Sequence, residues 1–193
     1  FKISDMETSI VTDPFSEIGY PTRQIEADYV MVSHSHYDHS NLDLVKGYKE
    51  VFNTPEKKSF GKNEIFGVET FHDDDKGKQR GKNIIFRLEM NLTSFVHLGD
   101  LGQFLTNAQV KKLRPVDVLF IPVGGIYTIN AEKAFHVIEH IQPKIVIPMH
   151  YKTPHLNFDL GFVDDFLKLF QPYQIQHVHT DTWNLEFFDS SPT

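Results

Sequence analysis

Cysteine is absent from the 193 residues. That excludes disulfides and all thiolate chemistry, whether nucleophile, redox pair or metal ligand. Any metal held by this chain must rest on nitrogen and oxygen, a donor set that suits zinc, manganese or iron. Long apolar runs are also missing. None approaches the roughly 20 residues that a membrane helix needs, and the opening FKISDMETSI lacks the basic-then-apolar pattern of a signal peptide. The expectation is a cytoplasmic protein with no membrane partner. Positive charge is scarce, since 19 Lys and Arg against 26 Asp and Glu leave a net charge of −7. Gripping a nucleic-acid backbone takes a basic stripe. Only KKSFGK and KGKQRGK are basic here, which argues against extended nucleic-acid binding and leaves small anionic substrates open.

What is present has the balance of a folded domain. Hydrophobic residues make up 40% and charged residues 23%, which suits one domain over residues 1–193 with a real core. TSIVTDP reads as a strand stopped by Pro14, and ADYVMVSH as a buried strand ending at histidines. NLDLVKGY reads as a short helix. KNEIFGVETFH and KNIIFRLEMN read as strands joined by the charged loop DDDKGKQRG. TSFVHLGD, VDVLFIPVGG and KIVIPMH read as three further strands, and two short closing strands are expected around YQIQHVH and NLEFF. TNAQVKKL reads as a helix with Thr106 as its N-cap. FVDDFLKLF is amphipathic, and NAEKAFHVIEHI is the clearest helix, with Ala134, Phe135, Ile138 and Ile141 on one face. Layers of sheet covered by helices are the expected architecture.

Histidine is plentiful, at 11 residues, and three of them fall in VSHSHYDHS. In an extended or sharply turning segment residues two apart point the same way. His34 and His36 can then close on one metal, while Asp38 and His39 reach a second. One tetrahedral zinc needs only three protein ligands and a water, so four donors in six residues suggest two metals in one pocket. His72, Asp100 and His150 each follow a strand as well, and loops at one sheet edge are where sites are built.

With these motifs in hand, the chain resembles the metallo-β-lactamase superfamily over nearly its whole length. The resemblance is to the small stand-alone branch of metal-dependent hydrolases that includes proteins similar to ascorbate-6-phosphate lactonase. IVTDPF resembles the first motif, VSHSHYDH the second, VETFHD the third, HLGDLG the fourth and IPMHY the fifth. The resemblance implies an α/β fold, the four-layer αββα sandwich. It implies one divalent metal on His34, His36, His72 and Asp100, and another on Asp38, His39, His150 and Asp100, with Asp13 buttressing the loop. Zinc is the expected ion, with manganese, iron and nickel as alternatives. The implied activity is hydrolysis of an ester, lactone or phosphoester by a hydroxide held between the two metals, which paired sites keep about 3.5–4 Å apart. Asp38 and His39 are the implied catalytic residues, Asp38 taking up and passing on a proton. A small-molecule, anionic substrate and a homo-oligomer are the expected partners. The family's usual first strand, with its short glycine–histidine stretch, is not seen before Phe1, so one sheet is expected to be short of a strand.

Other residues compete for attention. His97 is read as a core residue or hydrogen-bond support. His136 and His140 are read as a solvated face, and His177 and His179 as surface or sheet packing. Asp73, Asp74 and Asp75 read as a solvated turn. Lys78, Arg80 and Lys82 form either a phosphate-binding lid or a mobile charged loop. Tyr127, Thr128, Tyr151 and Lys152 are candidates to line the pocket. Two other functions stay open: an iron-dependent oxidoreductase on the same fold, and a non-catalytic metal-binding protein. The flavin-coupled di-iron relatives carry an acidic residue where this chain has His36. Degenerate binding members typically lose ligands, and this chain has not.

Overall fold

The computed structural model describes residues 1–16 and 18–185. Its elements run β1 Lys2–Ser4, β2 Ser9–Thr12, β3 Ile25–Glu26, β4 Tyr29–Met31, β5 Val45–Lys46, β6 Glu50–Phe52, β7 Lys58–Phe60, β8 Asn63–Phe71, β9 Lys82–Met90, β10 Thr93–His97, α1 Asn107–Leu113, β11 Val118–Pro122, α2 Ala131–Ile141, β12 Ile145–Met149 and α3 Val163–Leu167. A four-stranded sheet has the order β1-β2-β4-β6, and a six-stranded sheet the order β12-β11-β10-β9-β8-β7. The short strands β3 and β5 pair in parallel beside them.

The layering follows from the two-residue period of strand side chains. Along β11, Val118 and Phe120 enter one core, and Leu119 and Ile121 enter another. The first core faces the small sheet, where Ile3, Ile10, Met31 and Phe52 meet Phe95, Phe86 and Leu88. The second core faces the helices and takes Leu113 of α1, Ala134, Val137 and Ile141 of α2, and Phe166 of α3. On its far side the small sheet packs Val11, Val30 and Val32 against Ala27 and Val45. The result is a four-layer sandwich of the αββα type. Among the described residues its outer layer over the small sheet is the β3–β5 pair and a 3-10 turn at Leu42–Leu44. Each fully buried aliphatic or aromatic side chain in these cores contributes roughly 1.5–3 kcal/mol.

Helix α2 begins where Asn130 accepts the Lys133 amide at 3.0 Å and ends at Gln142 in the left-handed region. Its apolar face is as expected except that Val137 is buried, while Phe135 sits at the rim against the Phe170 ring. Thr106 caps α1 in a reciprocal capping box with Gln109. The helix expected at NLDLVKGY is only the 3-10 turn. There β-branched Val45 pairs with Ile25, and Gly47 at φ 79° ends the segment. The strand expected at YQIQHVH is a 3-10 turn at Pro172–Gln174 followed by mostly exposed chain with no strand partner among the described residues. Residues 186–188 of NLEFF lie outside the described residues. The sheet expected to be short of a strand carries Lys2–Ser4 at its edge, antiparallel to β2.

Candidate metal centre

Both sheets deliver chemistry to one edge. Asp13 follows β2, His34 to His39 follow β4, His72 follows β8, Asp100 follows β10 and His150 follows β12. Asp100 lies at the middle of this cluster. Its Oδ2 is 3.0 Å from His72 Nε2, 3.3 Å from His150 Nε2 and 3.9 Å from His34 Nε2. Its Oδ1 is 3.5 Å from His39 Nε2. His36 joins through ring contacts, with centroids 4.6 Å from His34 and 5.1 Å from His72. Asp38 Oδ2 is 3.7 Å from His39 Nε2. All seven residues singled out in the sequence therefore meet at one place.

Three of the rings present their donor atoms by hydrogen bonds on the opposite side. His72 Nδ1 donates to the Tyr127 carbonyl at 3.1 Å, which leaves Nε2 bare. His39 Nδ1 donates to Asp13 Oδ2 at 3.2 Å. Ser33 gives its amide to Asp13 Oδ1 and its hydroxyl to Asp13 Oδ2, both at 2.7 Å. The Ser33 oxygen can then accept from His34 Nδ1, 2.9 Å away. Ligand histidines are characteristically fixed by carboxylate or carbonyl partners of this kind. Asp13 thus has the buttressing place expected of it, and its oxygens are already taken by donors. Its grouping with His34 and His39 within 4.8 Å is therefore a support rather than a third ion site.

Two other sets of donors come within 4.8 Å of one another, His34–His36–His72 and His39–Asp100–His150. His34 Nε2 and Asp100 Oδ1, both aimed into the cluster, are buried and have no hydrogen-bond partner. Leaving such atoms unpaired costs free energy, and a divalent cation would satisfy nitrogen and oxygen donors of this type. The residues present fit a metal.

Charge agrees with geometry. Burial works against the charge of Asp100, yet His150 and His39 outweigh it and hold the carboxyl well below the usual range. Burial likewise opposes charge on Asp13, and His39, His97 and the Ser33 amide bring it to about 2. Burial pushes His34 down to about 3, so that ring is neutral near pH 7 and free to donate a lone pair. Burial also opposes the charge on His39, but Asp100, Asp13 and Asp38 outweigh it and raise the ring to about 9.

The remaining candidates separate cleanly. His97 is buried, accepts the Gly99 amide through Nδ1 at 3.2 Å and packs on the Phe1 and Phe120 rings. His136, His140, His177 and His179 are exposed. Lys152 is turned away, its amine donating to the Leu156 and Phe158 carbonyls, and Tyr151 packs against the helix-side core. Asp73 is not part of a solvated turn. It is buried and accepts four backbone amides, those of Asp75, Gly77, Gln79 and Arg80, at 2.8 to 3.0 Å. Burial raises its carboxyl, and the four donors outweigh that and lower it.

Asn83 is a residue the sequence reading passed over. It is fully buried in β9, gives its amide nitrogen to Thr70 Oγ1 and the Leu98 carbonyl, and accepts the Asp100 amide at 3.0 Å. Asparagine is depleted in strands, so its place inside KNIIF was the available signal.

Comparisons with known proteins agree with this geometry. The model of the β-lactamase superfamily domain matches residues 1–150. A metal-dependent hydrolase of Carboxydothermus hydrogenoformans is 27% identical over 197 residues, covering 86% of this chain and 87% of its own. A solved Thermotoga maritima structure, assigned as a Zn-dependent hydrolase of the metallo-β-lactamase superfamily, is 44% identical, with TM-score 0.74 over 88% of this chain and 80% of that one. A metallo hydrolase of Ignicoccus hospitalis, 20% identical, shares the fold at TM-score 0.65, covering 87% of this chain and 84% of its own. With its family model matched over most of its length and its histidines and aspartates converging at one sheet edge, the chain belongs to the β-lactamase superfamily, in its metallo-β-lactamase fold.

Proposed function

We propose that this protein is a metal-dependent hydrolase with a dinuclear centre, acting on an ester, lactone or phosphoester of a small anionic molecule. The observation that carries the reading is Asp100, a buried carboxylate faced by four imidazoles and left with an orphaned oxygen. In this reading His34, His36 and His72 hold one ion, and Asp38, His39 and His150 hold the other, with Asp100 shared. Zinc suits the all-nitrogen-and-oxygen donor set.

Bound ions would lower the pKa of a water toward 7 and polarise the scissile carbonyl or phosphoryl group. The chain's own residues do the rest. Asp13, Ser33 and the Tyr127 carbonyl hold three imidazoles with their Nε2 atoms inward. Asp38, beside His39 and less buried than Asp100, is placed to accept a proton from the attacking water and pass it to the leaving group. Ligand carboxylates only partly offset two divalent cations, so the pocket stays attractive to phosphate or carboxylate.

The test is metal content per chain by elemental analysis of protein purified without added metal or chelator, followed by hydrolysis of lactones and phosphodiesters. About two transition-metal ions per chain with hydrolysis are expected. One iron per chain with no hydrolysis would overturn the reading in favour of redox chemistry.

A further inference from the structure

The loop after His72 and the first residue of β9 carry four basic side chains, and their surroundings differ. Lys78 is 3.0 Å from Asp75, and Lys82 is 3.5 Å from Glu69. Lys76 is exposed at a left-handed turn. Arg80 is half-buried, with no carboxylate paired to its guanidinium among the described residues. A half-desolvated cation without a counter-charge calls for one from outside.

Arg80 is also held in place. Its amide donates to Asp73 at 2.8 Å, in the same set of four bonds that anchors the loop directly behind His72. Its guanidinium lies over the Tyr127 ring at 5.6 Å. Tyr127 in turn accepts from His72 through its carbonyl. Arg80 is thus tied to the His72 side of the centre from both directions, through Asp73 along the chain and through Tyr127 across space. The turn that presents Tyr127 has Ile126 at φ 59°, an uncommon conformation for a β-branched residue. A guanidinium held over an aromatic face by cation–π attraction still has its N–H donors to offer an oxyanion.

The geometry points to Arg80 as an anion-recognising residue of the site, one that takes a carboxylate or phosphate of the substrate remote from the scissile bond. This rests on the hydrolase reading and adds a substrate class to it: molecules with a second anionic group beyond the one drawn to the metals. Tyr127 is the positioning residue that aims the guanidinium.

The experiment is calorimetric titration of zinc-loaded protein with succinate, glutarate and adipate, each compared with the monocarboxylate of equal carbon count. Wild-type protein is expected to favour at least one diacid by about tenfold, the discrimination that one charge-assisted hydrogen bond supplies. Arg80→Gln should bring every pair to within about twofold, and Arg80→Lys should restore part of the preference. Replacing one carboxylate of the preferred diacid by a phosphonate distinguishes the two oxyanions; a preference for either that vanishes in Arg80→Gln supports the inference. Preference unchanged in Arg80→Gln, or absent from wild type, overturns it. So does a fall in melting temperature in both variants with no rescue by lysine, since Arg80 would then only pack the loop. Zinc content is measured alongside. A failed metal-centre reading shows as protein that takes up no zinc, while a failed anion inference shows as zinc-loaded protein that does not discriminate.

Discussion

Asp100 is the residue on which the centre depends most, because its two oxygens face four imidazoles delivered from three separate strand ends. Asp100→Ala should retain under about a tenth of the wild-type metal and lose hydrolysis, since it is assigned to both ions. Elemental analysis and a rate assay check this, and a variant that keeps both ions contradicts the shared role. The buried pair of Asp13 and His39 sets a pH dependence for the metal-free protein. His39 is raised from 6.5 to about 9. Its contribution to stability is therefore complete below pH 6.5 and is lost as pH rises through 9. Asp13 is depressed from 3.8 to about 2, so its contribution is present above pH 3.8 and lost as pH falls through 2. His34, lowered to about 3, binds its proton more readily unfolded and adds to the loss below pH 6.5. The buried Phe1 amino group, held below its usual range by burial, works in the opposite direction over this range. The denaturant midpoint of metal-free wild type should therefore fall relative to that of His39→Ala from pH 6.5 to 9, and midpoints that run parallel would mean the ring is not held charged.

At the scale of elements, ligands sit where strands stop, and the stops are tightly built. Gly99 has φ 54°, and a Cβ there would come within 2.3 Å of Asn83 Oδ1 and 2.6 Å of Ser33 Cβ. Gly99→Ala should therefore displace the group that holds the Asp100 amide and cost roughly 1–3 kcal/mol. His136→Ala, on the exposed side of α2, should change neither metal content nor melting temperature, and the pair of variants is compared by thermal melts with elemental analysis. This contrast also marks how far the sequence could be read. Long strands such as VDVLFIPVGG and the capped helix NAEKAFHVIEHI announce themselves through apolar period and cap residue, and the His34–His39 spacing announces a metal. The two-residue strands β3 and β5 carry no period to detect, and YQIQHVH alternates like a strand yet has no neighbour to pair with among the described residues. Asp73 looked solvated because a run of acids usually is. Its burial arises only when the loop folds back to give it four amides. The Tyr127 carbonyl has no side-chain signature at all. Backbone atoms that steer a ligand become visible only in three dimensions.

At the scale of the molecule, the centre is shared between the two sheets. The small sheet provides His34 to His39 and Asp13, and the large sheet provides His72, Asp100 and His150. Ions held there, as proposed, would clamp one layer to the other and bind the folded state alone. At a free concentration about 100-fold above Kd, each stabilises by roughly 2.7 kcal/mol. For a chain of this size about 2–4 °C accompanies each kcal/mol, so removing both ions by chelation should lower the melting temperature by roughly 11–22 °C, and removing one by roughly 5–11 °C. Scanning calorimetry with and without chelator checks this, and an unchanged melting point would place the ions elsewhere. The same pocket also stores hydrogen ions. His39, sitting among Asp100, Asp13 and Asp38, stays cationic up to about pH 9 while no metal competes for it. Uptake of an ion must eject that proton into the solvent. Loading would then acidify an unbuffered solution, and apparent affinity would weaken by about tenfold for each pH unit of acidification per proton released, so that an acidic compartment would strip the protein and an alkaline one would arm it.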